Sequence, residues 1–215
     1  MAALRILLVD DHILFRKGLA RLLDAQPDLE VVGEAADGLE AVERTRALRP
    51  EVVLMDLRMP ECDGLEATRR IKQEFPATWV VMLGAAEDDQ DLVAAIRCGA
   101  DGFLVKDMRP EQLYHELRGL ARGEAPFSRV VTGKLLRQLV LGGYALTPPP
   151  LAAPLSTRER QVLTLLAGGL SNTEIAVEMG IAANTVRNHV RSILSKLHLR
   201  NRVQAAVYAA RAGLF

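Results

Sequence analysis

The sequence predicts two domains of different fold class, an α/β doubly wound domain followed by an all-α helix-turn-helix domain. Five apolar runs of strand length alternate with segments of helical period up to about residue 123, and this alternation is typical of parallel β-α-β units. Beyond the proline-rich stretch at 147–154, every segment has helical period. We therefore predict a first domain over 1–123, a linker helix and proline-rich linker over 124–155, and a helical domain over 156–215.

The elements of the first domain follow one another at regular spacing. The apolar runs predicted as strands are 4–9, 29–33, 52–55, 79–83 and 102–105. The segments of helical period between and after them are 12–24, 38–48, 64–74, 88–98 and 110–122. Five such units make an open parallel sheet, and ligands bind such sheets in the crevice at the carboxyl ends of the strands.

The second domain is predicted to begin after a linker. An amphipathic segment spans 128–141, and four prolines within 147–154 then oppose any regular element, which is typical of a semi-rigid linker. The predicted helices beyond the linker are 157–168, 172–179, 183–198 and 201–212. No internal repeat is present.

Particular residues mark the helix starts and turns of this second domain. Ser156 with Glu159, and Ser171 with Glu174, match the capping box, in which the two side chains satisfy backbone donors at a helix start. Gly180 provides a tight turn between the second and third helices. Two helices joined in this way are typical of a helix-turn-helix, whose second helix lies in the major groove of DNA.

Charge and composition narrow the class of protein. The chain has 215 residues with 27 Lys and Arg against 27 Asp and Glu. From Leu155 onward eight basic residues stand against three acidic ones, whereas the preceding part carries 19 against 24. A basic module of this kind is a candidate for binding nucleic acid. No apolar stretch has the roughly 18 residues of a transmembrane helix, no signal peptide is evident, and the two cysteines form no metal motif, so we expect a cytoplasmic protein without membrane association.

Polar residues follow three of the predicted strands at the points where those strands end. Asp10 and Asp11 close the first run, Asp56 closes the third, and Lys106 follows the fifth. In a parallel sheet these three carboxylates and one ammonium should converge. Crowded carboxylates repel one another unless a cation lies among them, and Mg²⁺ accepts oxygen ligands of this kind. We therefore predict a site that holds Mg²⁺ and accepts a phosphoryl group.

The first 123 residues resemble a bacterial response-regulator receiver domain. The matching stretches are Leu8-Val9-Asp10-Asp11-His12, Met55-Asp56-Leu57-Arg58-Met59-Pro60, Asp63-Gly64 and Gly102-Phe103-Leu104-Val105-Lys106-Asp107. The resemblance implies a flavodoxin-like fold in which Asp56 accepts the phosphoryl group and Lys106 pairs with the phosphoryl oxygens. The Mg²⁺ ligands that it implies are Asp10, Asp11, Asp56 and the backbone carbonyl of Arg58. His12, in the first turn of a helix, is expected to lie at the surface beside the site.

The fourth strand departs from the receiver pattern. Receivers normally carry Ser or Thr at its end, where the hydroxyl bonds the phosphoryl group, but Gly84 stands at this position. Phe103 retains the aromatic residue found at the partner switch position in many receivers. A hydrogen bond to a charged group contributes about 1.5–3 kcal/mol, so the missing hydroxyl should weaken the switch. Backbone N–H groups near Gly84 and Ala85 are the alternative donors.

Residues 156–215 resemble the LuxR-type DNA-binding domain. The matching stretches are Leu155-Ser156-Thr157-Arg158-Glu159-Arg160, Gly169-Leu170-Ser171-Asn172, Glu174-Ile175-Ala176, Thr185-Val186-Arg187-Asn188-His189-Val190 and Lys196-Leu197. Ala182-Ala183 replaces the Ser-Glu that often starts the recognition helix, and a lost Ser cap costs about 1 kcal/mol. The residues predicted to contact DNA are Thr185, Arg187, Asn188, Arg191 and Lys196. Such side chains pair with base edges or phosphates; the alternative is a solvated helix face.

Together the two resemblances make the chain similar to a NarL/FixJ-type two-component response regulator. They imply that a sensor histidine kinase phosphorylates the receiver and that phosphorylation controls sequence-specific DNA binding and transcription. One recognition helix reads only a few base pairs, so we expect a homodimer on a palindromic operator. Val203, Val207 and Tyr208 offer a dimerisation face on the last helix, unless that face only covers the core of the domain.

Two other functions fit parts of the pattern. A pseudo-receiver regulator would be gated by a partner or ligand rather than by phosphorylation, and Gly84 is the feature that favours it. A phosphohydrolase would use Asp56 as its nucleophile, but many such enzymes need a second Asp two residues later, where Arg58 stands. We therefore predict a regulator that is not an enzyme.

Overall fold

The computed structural model describes residues 3–60, 62–84, 89–121, 154–199, 202–212 and 214. The chain divides into two compact units, Met1–Ala121 and Arg122–Phe215. The predicted linker helix over 128–141 and the proline-rich linker lie outside the described residues. The domain boundaries at 123 and 155 therefore stay predictions.

Five strands and five helices alternate in the described part of the first unit. The strands are β1 (Leu4–Val9), β2 (Leu29–Ala35), β3 (Val52–Asp56), β4 (Trp79–Gly84) and β5 (Gly102–Val105). The helices are α1 (Ile13–Asp24), α2 (Gly38–Leu48), α3 (Gly64–Glu74), α4 (Asp89–Cys98) and α5 (Pro110–Ala121). All five strands are parallel and lie in the order β2-β1-β3-β4-β5. This is the flavodoxin-like order, whose ligand crevice opens between β1 and β3, so the predicted fold class is confirmed.

The sheet is buried on both faces, which explains why its strands read as nearly continuous apolar runs. One face packs against α1 and α5 through a cluster that includes Ile6, Leu8, Leu23, Leu54, Val81, Leu83, Leu104 and Leu117. The other face is covered by α2, α3 and α4, which contact the strands and one another. Each fully buried Leu or Ile contributes roughly 1.5–3 kcal/mol relative to an exposed one, so this packing stabilises the sheet on which the polar residues stand.

A buried ion pair secures the edge of the sheet opposite the strand ends. Lys72 of α3 lies 2.8 Å from the carboxylate of Asp101, and both side chains are shielded from solvent. The ammonium also donates to the carbonyls of Pro76 and Thr78, and Asp101 accepts from the backbone N–H of Val80. Because every charge in this group is hydrogen-bonded, the burial of the pair is compensated.

The second unit contains four helices in its described part. They are α6 (Thr157–Ala167), α7 (Asn172–Met179), α8 (Ala183–Lys196) and α9 (Arg202–Arg211). Both predicted capping boxes are present at the starts of α6 and α7, whereas Ala182 gives α8 no side-chain cap. The predicted third helix was two residues too long, because His198 adopts a left-handed backbone conformation with φ of 51° just after α8 ends.

The helices of the second unit enclose a separate apolar core. Its fully buried members include Val162, Leu163, Ile175, Val186, Ile193 and Leu197. Gly180 ends α7 with φ of 64°, a conformation that glycine adopts without steric cost, and the chain turns there into α8. Among the described residues, no helix is long and apolar enough to cross a membrane.

Candidate functional site

Four side chains meet where β1 and β3 end. The two strands are hydrogen-bonded neighbours with Val9 opposite Met55, so the residues that follow them are brought side by side. Asp10 is 3% exposed and Asp56 is 5% exposed. One ligand atom from each of Asp10, Asp11, His12 and Asp56 can be chosen so that all four atoms lie within 4.8 Å of one another. The structure therefore brings together the three carboxylates that the sequence placed at one edge.

Lys106 connects this acidic group to β5. Its ammonium lies 2.8 Å from one carboxylate oxygen of Asp10 and 2.8 Å from one of Asp56. The backbone N–H of Lys106 donates to the carbonyl of Gly84 at 3.0 Å, which fixes the start of the side chain beside β4. Burial alone would lower the pKa of the Lys106 ammonium, but hydrogen bonds from it to Asp10 and Asp56 outweigh burial and raise that pKa.

The charge balance of the site is negative. Burial raises the pKa of the Asp56 carboxyl above its ordinary value, and the nearby Asp10 carboxylate raises it further. The hydrogen bond and charge of Lys106 and the backbone N–H of Arg58 lower this pKa, but they do not outweigh burial. Among the described residues, three carboxylates share one paired ammonium in a largely buried crevice. An additional cation would relieve the repulsion and favour the ionised form of Asp56.

The donors of the site fit Mg²⁺. One carboxylate oxygen of Asp11, Oδ1, is buried and makes no hydrogen bond, although the exposed ring of His12 places Nδ1 2.8 Å from it. A buried carboxylate oxygen that accepts no hydrogen bond is suited to a hard cation, and Mg²⁺ prefers oxygen ligands. Asp10, Asp11 and Asp56 are the residues that would hold it. The carbonyl of Arg58 stays a predicted ligand, since the structure establishes only that its N–H faces Asp56.

A close approach of α3 supports the loop after β3. Asp63 caps α3 by accepting from the backbone N–H of Glu66. A side chain at Gly64 would place its Cβ 2.0 Å from the carbonyl oxygen of Asp56, so only glycine allows the helix to start this close to the strand end. Arg58 points away from the carboxylates and forms an ion pair at 3.0 Å with Asp91 of α4. The start of α3 therefore packs directly against the main chain of Asp56.

Gly84 and Phe103 are packed against each other. A Cβ built at Gly84 would lie 2.7 Å from Cζ of Phe103 and 3.4 Å from Cε2. The Phe103 ring is 3% exposed. The sequence indicated a missing hydroxyl at this position, and the structure adds that the ring of Phe103 occupies the space into which a side chain at position 84 would project.

The sequence did not point to two side chains that contribute to the surroundings of the acidic group. The ring of Phe15 lies under the Lys106 ammonium, with the nitrogen 5.0 Å from its centroid. The guanidinium of Arg16 donates to the backbone carbonyl of Asp10. Both belong to the first two turns of α1. The feature of the sequence that could have indicated Arg16 is its position as a basic residue shortly after the acidic pair Asp10-Asp11.

All five predicted DNA-contacting residues lie along α8. Thr185, Asn188 and Arg191 are exposed, as a surface that meets DNA requires. Arg187 is half-buried, its terminal nitrogen lies 3.4 Å from Oδ1 of Asn184, and its Nε has no hydrogen-bond partner among the described residues. Val186 and Ile193 hold the opposite side of the helix in the core.

Lys196 is placed differently from the other predicted contacts. Its ammonium lies 2.8 Å from Glu159, and this carboxylate also accepts from the Ser192 hydroxyl and from the backbone N–H of Ser156. Burial alone would raise the pKa of Glu159, but these hydrogen bonds outweigh it and lower the pKa to about 2. Lys196 thus has a structural partner, and a contact of this residue with DNA stays a prediction.

The predicted dimerisation face is only partly described. The side chains of Val203 and Val207 lie outside the described residues. Tyr208 is half-buried and packs against the core of its own unit, where Ala205 and Ala209 are fully buried. Tyr208 therefore already has a role in covering that core, and a role in dimerisation stays a prediction.

Comparison with known families assigns both units. Residues 6–118 match the response regulator receiver domain, and residues 153–209 match the bacterial regulatory proteins of the luxR family. The chain is a two-component response regulator. It is 41% identical to the transcriptional regulatory protein LiaR of Bacillus subtilis over 97% of both chains. It is 37% identical to the nitrate/nitrite response regulator protein NarL of Escherichia coli, over 98% of this chain and 96% of NarL.

Solved structures show the same similarity along the whole chain. The superposition on the response regulator ChrA of a heme-sensing two-component system covers 100% of both chains, with a TM-score of 0.54 and 31% identity. RcsB of Salmonella typhimurium covers 98% of this response regulator and 100% of its own chain, with a TM-score of 0.58 and 26% identity. The predicted combination of a receiver domain with a LuxR-type DNA-binding domain is thus confirmed.

Proposed function

We propose that a sensor histidine kinase phosphorylates this response regulator on Asp56 and that phosphorylation controls its binding to operator DNA. The observation that carries the proposal is the convergence of Asp10, Asp11 and Asp56 with Lys106 at the β1/β3 edge of the sheet. This edge is where an open parallel sheet binds its ligands.

The chemistry of phosphoryl transfer suits these residues. A carboxylate oxygen of Asp56 attacks the phosphorus of the phosphohistidine, an O–P bond forms, and the P–N bond breaks with its electron pair leaving on the imidazole. Bound Mg²⁺ would neutralise phosphoryl charge beside Asp10 and Asp11. Lys106 is already within 2.8 Å of Asp56, so its ammonium can pair with a phosphoryl oxygen after only a small movement.

The second unit supplies the output. The exposed side chains of Thr185, Asn188 and Arg191 lie on α8, the second helix of the helix-turn-helix, which enters the major groove in domains of this kind. A solved structure of RcsB of Salmonella typhimurium is described as showing conformational dynamism for DNA interaction, and LiaR is named a transcriptional regulatory protein. We infer a homodimer on a palindromic operator, since one helix reads too few base pairs for specificity.

The acceptor residue is tested by intact-mass measurement after incubation with Mg²⁺ and acetyl phosphate. We expect the mass of one phosphoryl group to be added to the wild type and to Asp107→Asn, which changes an exposed carboxylate next to Lys106. Asp56→Asn should add no mass, and chelation of Mg²⁺ should abolish the addition in all variants. Modification of Asp56→Asn to the wild-type extent would show that another residue is the acceptor.

A second candidate is gating by a partner without phosphorylation. The observation that favours it is Gly84, which offers no side-chain hydroxyl to a phosphoryl group, while the buried ring of Phe103 occupies the space into which a side chain there would project. Under this alternative, treatment with acetyl phosphate would leave operator affinity unchanged. The phosphohydrolase is disfavoured because the Arg58 side chain pairs with Asp91 at the position where such an enzyme needs a second acid.

A further inference from the structure

Arg16 lies directly behind the acidic crevice and is largely buried. Its side chain is 11% exposed, and its Nε lies 3.0 Å from Oε2 of Glu34. Another nitrogen of the same guanidinium donates to the backbone carbonyl of Asp10. A buried guanidinium is costly unless its donors are satisfied, and here they are satisfied by the first residue of the acidic pair and by β2.

Glu34 fixes the far side of this contact. Its second oxygen accepts from Lys17 at 2.8 Å, and the next residue, Ala35, accepts from the backbone N–H of Asp10 at 3.2 Å. Burial alone would raise the pKa of Glu34, but hydrogen bonds from Lys17 and Arg16 outweigh it and lower the pKa. Asp10 is therefore held to β2 through its N–H and to α1 through its carbonyl.

We propose that Arg16 is a positioning residue that sets the orientation of Asp11 toward the cation. The carbonyl of Asp10 and the N–H of Asp11 belong to one planar peptide group. A donor that fixes this carbonyl also fixes the direction in which the Asp11 main chain leaves the peptide. The proposal rests on the proposed function, because it assigns Arg16 to the same Mg²⁺ site.

The shape of the guanidinium is what the arrangement requires. Two of its nitrogens reach two different acceptors, the carbonyl of Asp10 and the carboxylate of Glu34. Arginine presents several donors in a rigid plane, whereas lysine offers a single point charge on a flexible chain. Arg16→Lys therefore preserves the charge but not the simultaneous contacts, and Arg16→Gln removes the charge.

This difference separates positioning from simple electrostatics. A cation close behind the carboxylates repels Mg²⁺, so a purely electrostatic Arg16 predicts stronger Mg²⁺ binding in Arg16→Gln and unchanged binding in Arg16→Lys. A positioning role predicts weaker binding in both variants. Loss of a group that orients a metal ligand typically lowers metal affinity by about 10–100-fold, so we expect about a tenfold loss.

Mg²⁺ affinity is measured by calorimetry on the full, unphosphorylated chain. Arg5→Lys is the matched control, because Arg5 also donates its guanidinium to two backbone carbonyls, those of Leu48 and Arg49, at the other end of β1. Amide exchange of the metal-free protein around Asp10 and Asp11 should be faster in both Arg16 variants and unchanged in the control. The rate of phosphorylation by acetyl phosphate should recover toward the wild-type value at saturating Mg²⁺.

The outcomes separate this inference from the proposed function. Wild-type protein that neither binds Mg²⁺ nor accepts a phosphoryl group would overturn the proposed function itself. If the wild-type protein binds Mg²⁺ and either Arg16 variant binds it equally or more tightly, only the positioning role is overturned. A loss of affinity as large in Arg5→Lys would also overturn it, because the effect would then reflect general destabilisation. Glu34→Gln, which keeps Arg16 but weakens its anchor, should lose less affinity than Arg16→Lys.

Discussion

Gly84→Ala is expected to destabilise the receiver because its Cβ would lie 2.7 Å from Cζ of Phe103. Ordinary carbon contacts begin near 3.5 Å, so the ring or the strand must move by several tenths of an ångström. The ring is 3% exposed and cannot swing into solvent without exposing its apolar surface. Overpacking of this kind costs about 1–3 kcal/mol.

Phe103→Leu should relieve the clash. Alone, this substitution leaves a small cavity and lowers the free energy of unfolding. The loss should lie between the roughly 1 kcal/mol expected for one deleted methylene and the roughly 3–5 kcal/mol expected for Phe→Ala. Combined with Gly84→Ala it should cost less than the two single changes together, because the added methyl enters the space left by the ring. We expect a favourable coupling energy of about 1–2 kcal/mol, within the range for residues in contact.

Urea unfolding followed by Trp79 fluorescence measures these effects in the full chain, since the only tryptophan lies at the start of β4. Gly18→Ala is the control: Gly18 lies in α1 and nothing lies within 4 Å of an added Cβ. It should stabilise by about 0.5–1 kcal/mol, because alanine favours a helix over glycine. Strict additivity of the Gly84 and Phe103 changes would refute the packing argument.

The same contact changes how a restored hydroxyl must be tested. Gly84→Thr adds both a hydroxyl and a branched side chain that meets Phe103. Gly84→Val adds the branch alone and is nearly the same size. The contribution of the hydroxyl is the difference between Thr and Val in the phosphorylation-dependent gain in operator affinity. A gain larger in Thr would support the missing-hydroxyl interpretation of position 84, and equal gains would favour backbone donors.

Two further predictions concern the second unit. The pKa of Glu159 falls from 4.5 to about 2 on folding. Its contribution to stability is therefore present above about pH 4.5 and is lost as the pH falls toward 2. After allowance for solvent screening, the unfolding free energy should decrease by on the order of 2 kcal/mol over this range. Urea-dependent amide exchange in α6 measures this, and Glu159→Gln should flatten the pH profile; an unchanged profile in that variant would contradict the assignment. Arg191→Ala should reduce the slope of log affinity against log salt by about the contribution of one phosphate contact. Lys196→Met should weaken the fold, and an unchanged slope in that variant would show that Lys196 has only its structural role. A reduced slope in Lys196→Met would show that this ammonium contacts DNA.

The sequence was sufficient for the fold because the relevant signals are local. Each strand of the sheet is an apolar run a few residues long, and each capping box lies within four consecutive residues. The carboxylates of Asp10 and Asp56 could also be placed together, since topology alone brings the ends of β1 and β3 to one edge. The contact of Gly84 with Phe103 could not be predicted, because it depends on the direction of one ring between two strands.

The roles of the basic residues were the least predictable part, because they depend on partners that are distant in sequence. The carboxylates that pair with Lys72 and Lys196 lie 29 and 37 positions away, and one of the two that pair with Lys106 lies 96 positions away. Asp101 and Glu159 each accept backbone or hydroxyl donors in addition to the ammonium, so their lysines are held in closed structural networks. Lys106 instead lies between two carboxylates of a crowded acidic group. A phosphoryl group on Asp56 would compete with these carboxylates for the Lys106 ammonium. Among the three lysines, Lys106 is therefore the one whose ion-pair partners would change on phosphorylation, and such a change can shift the protein between conformations.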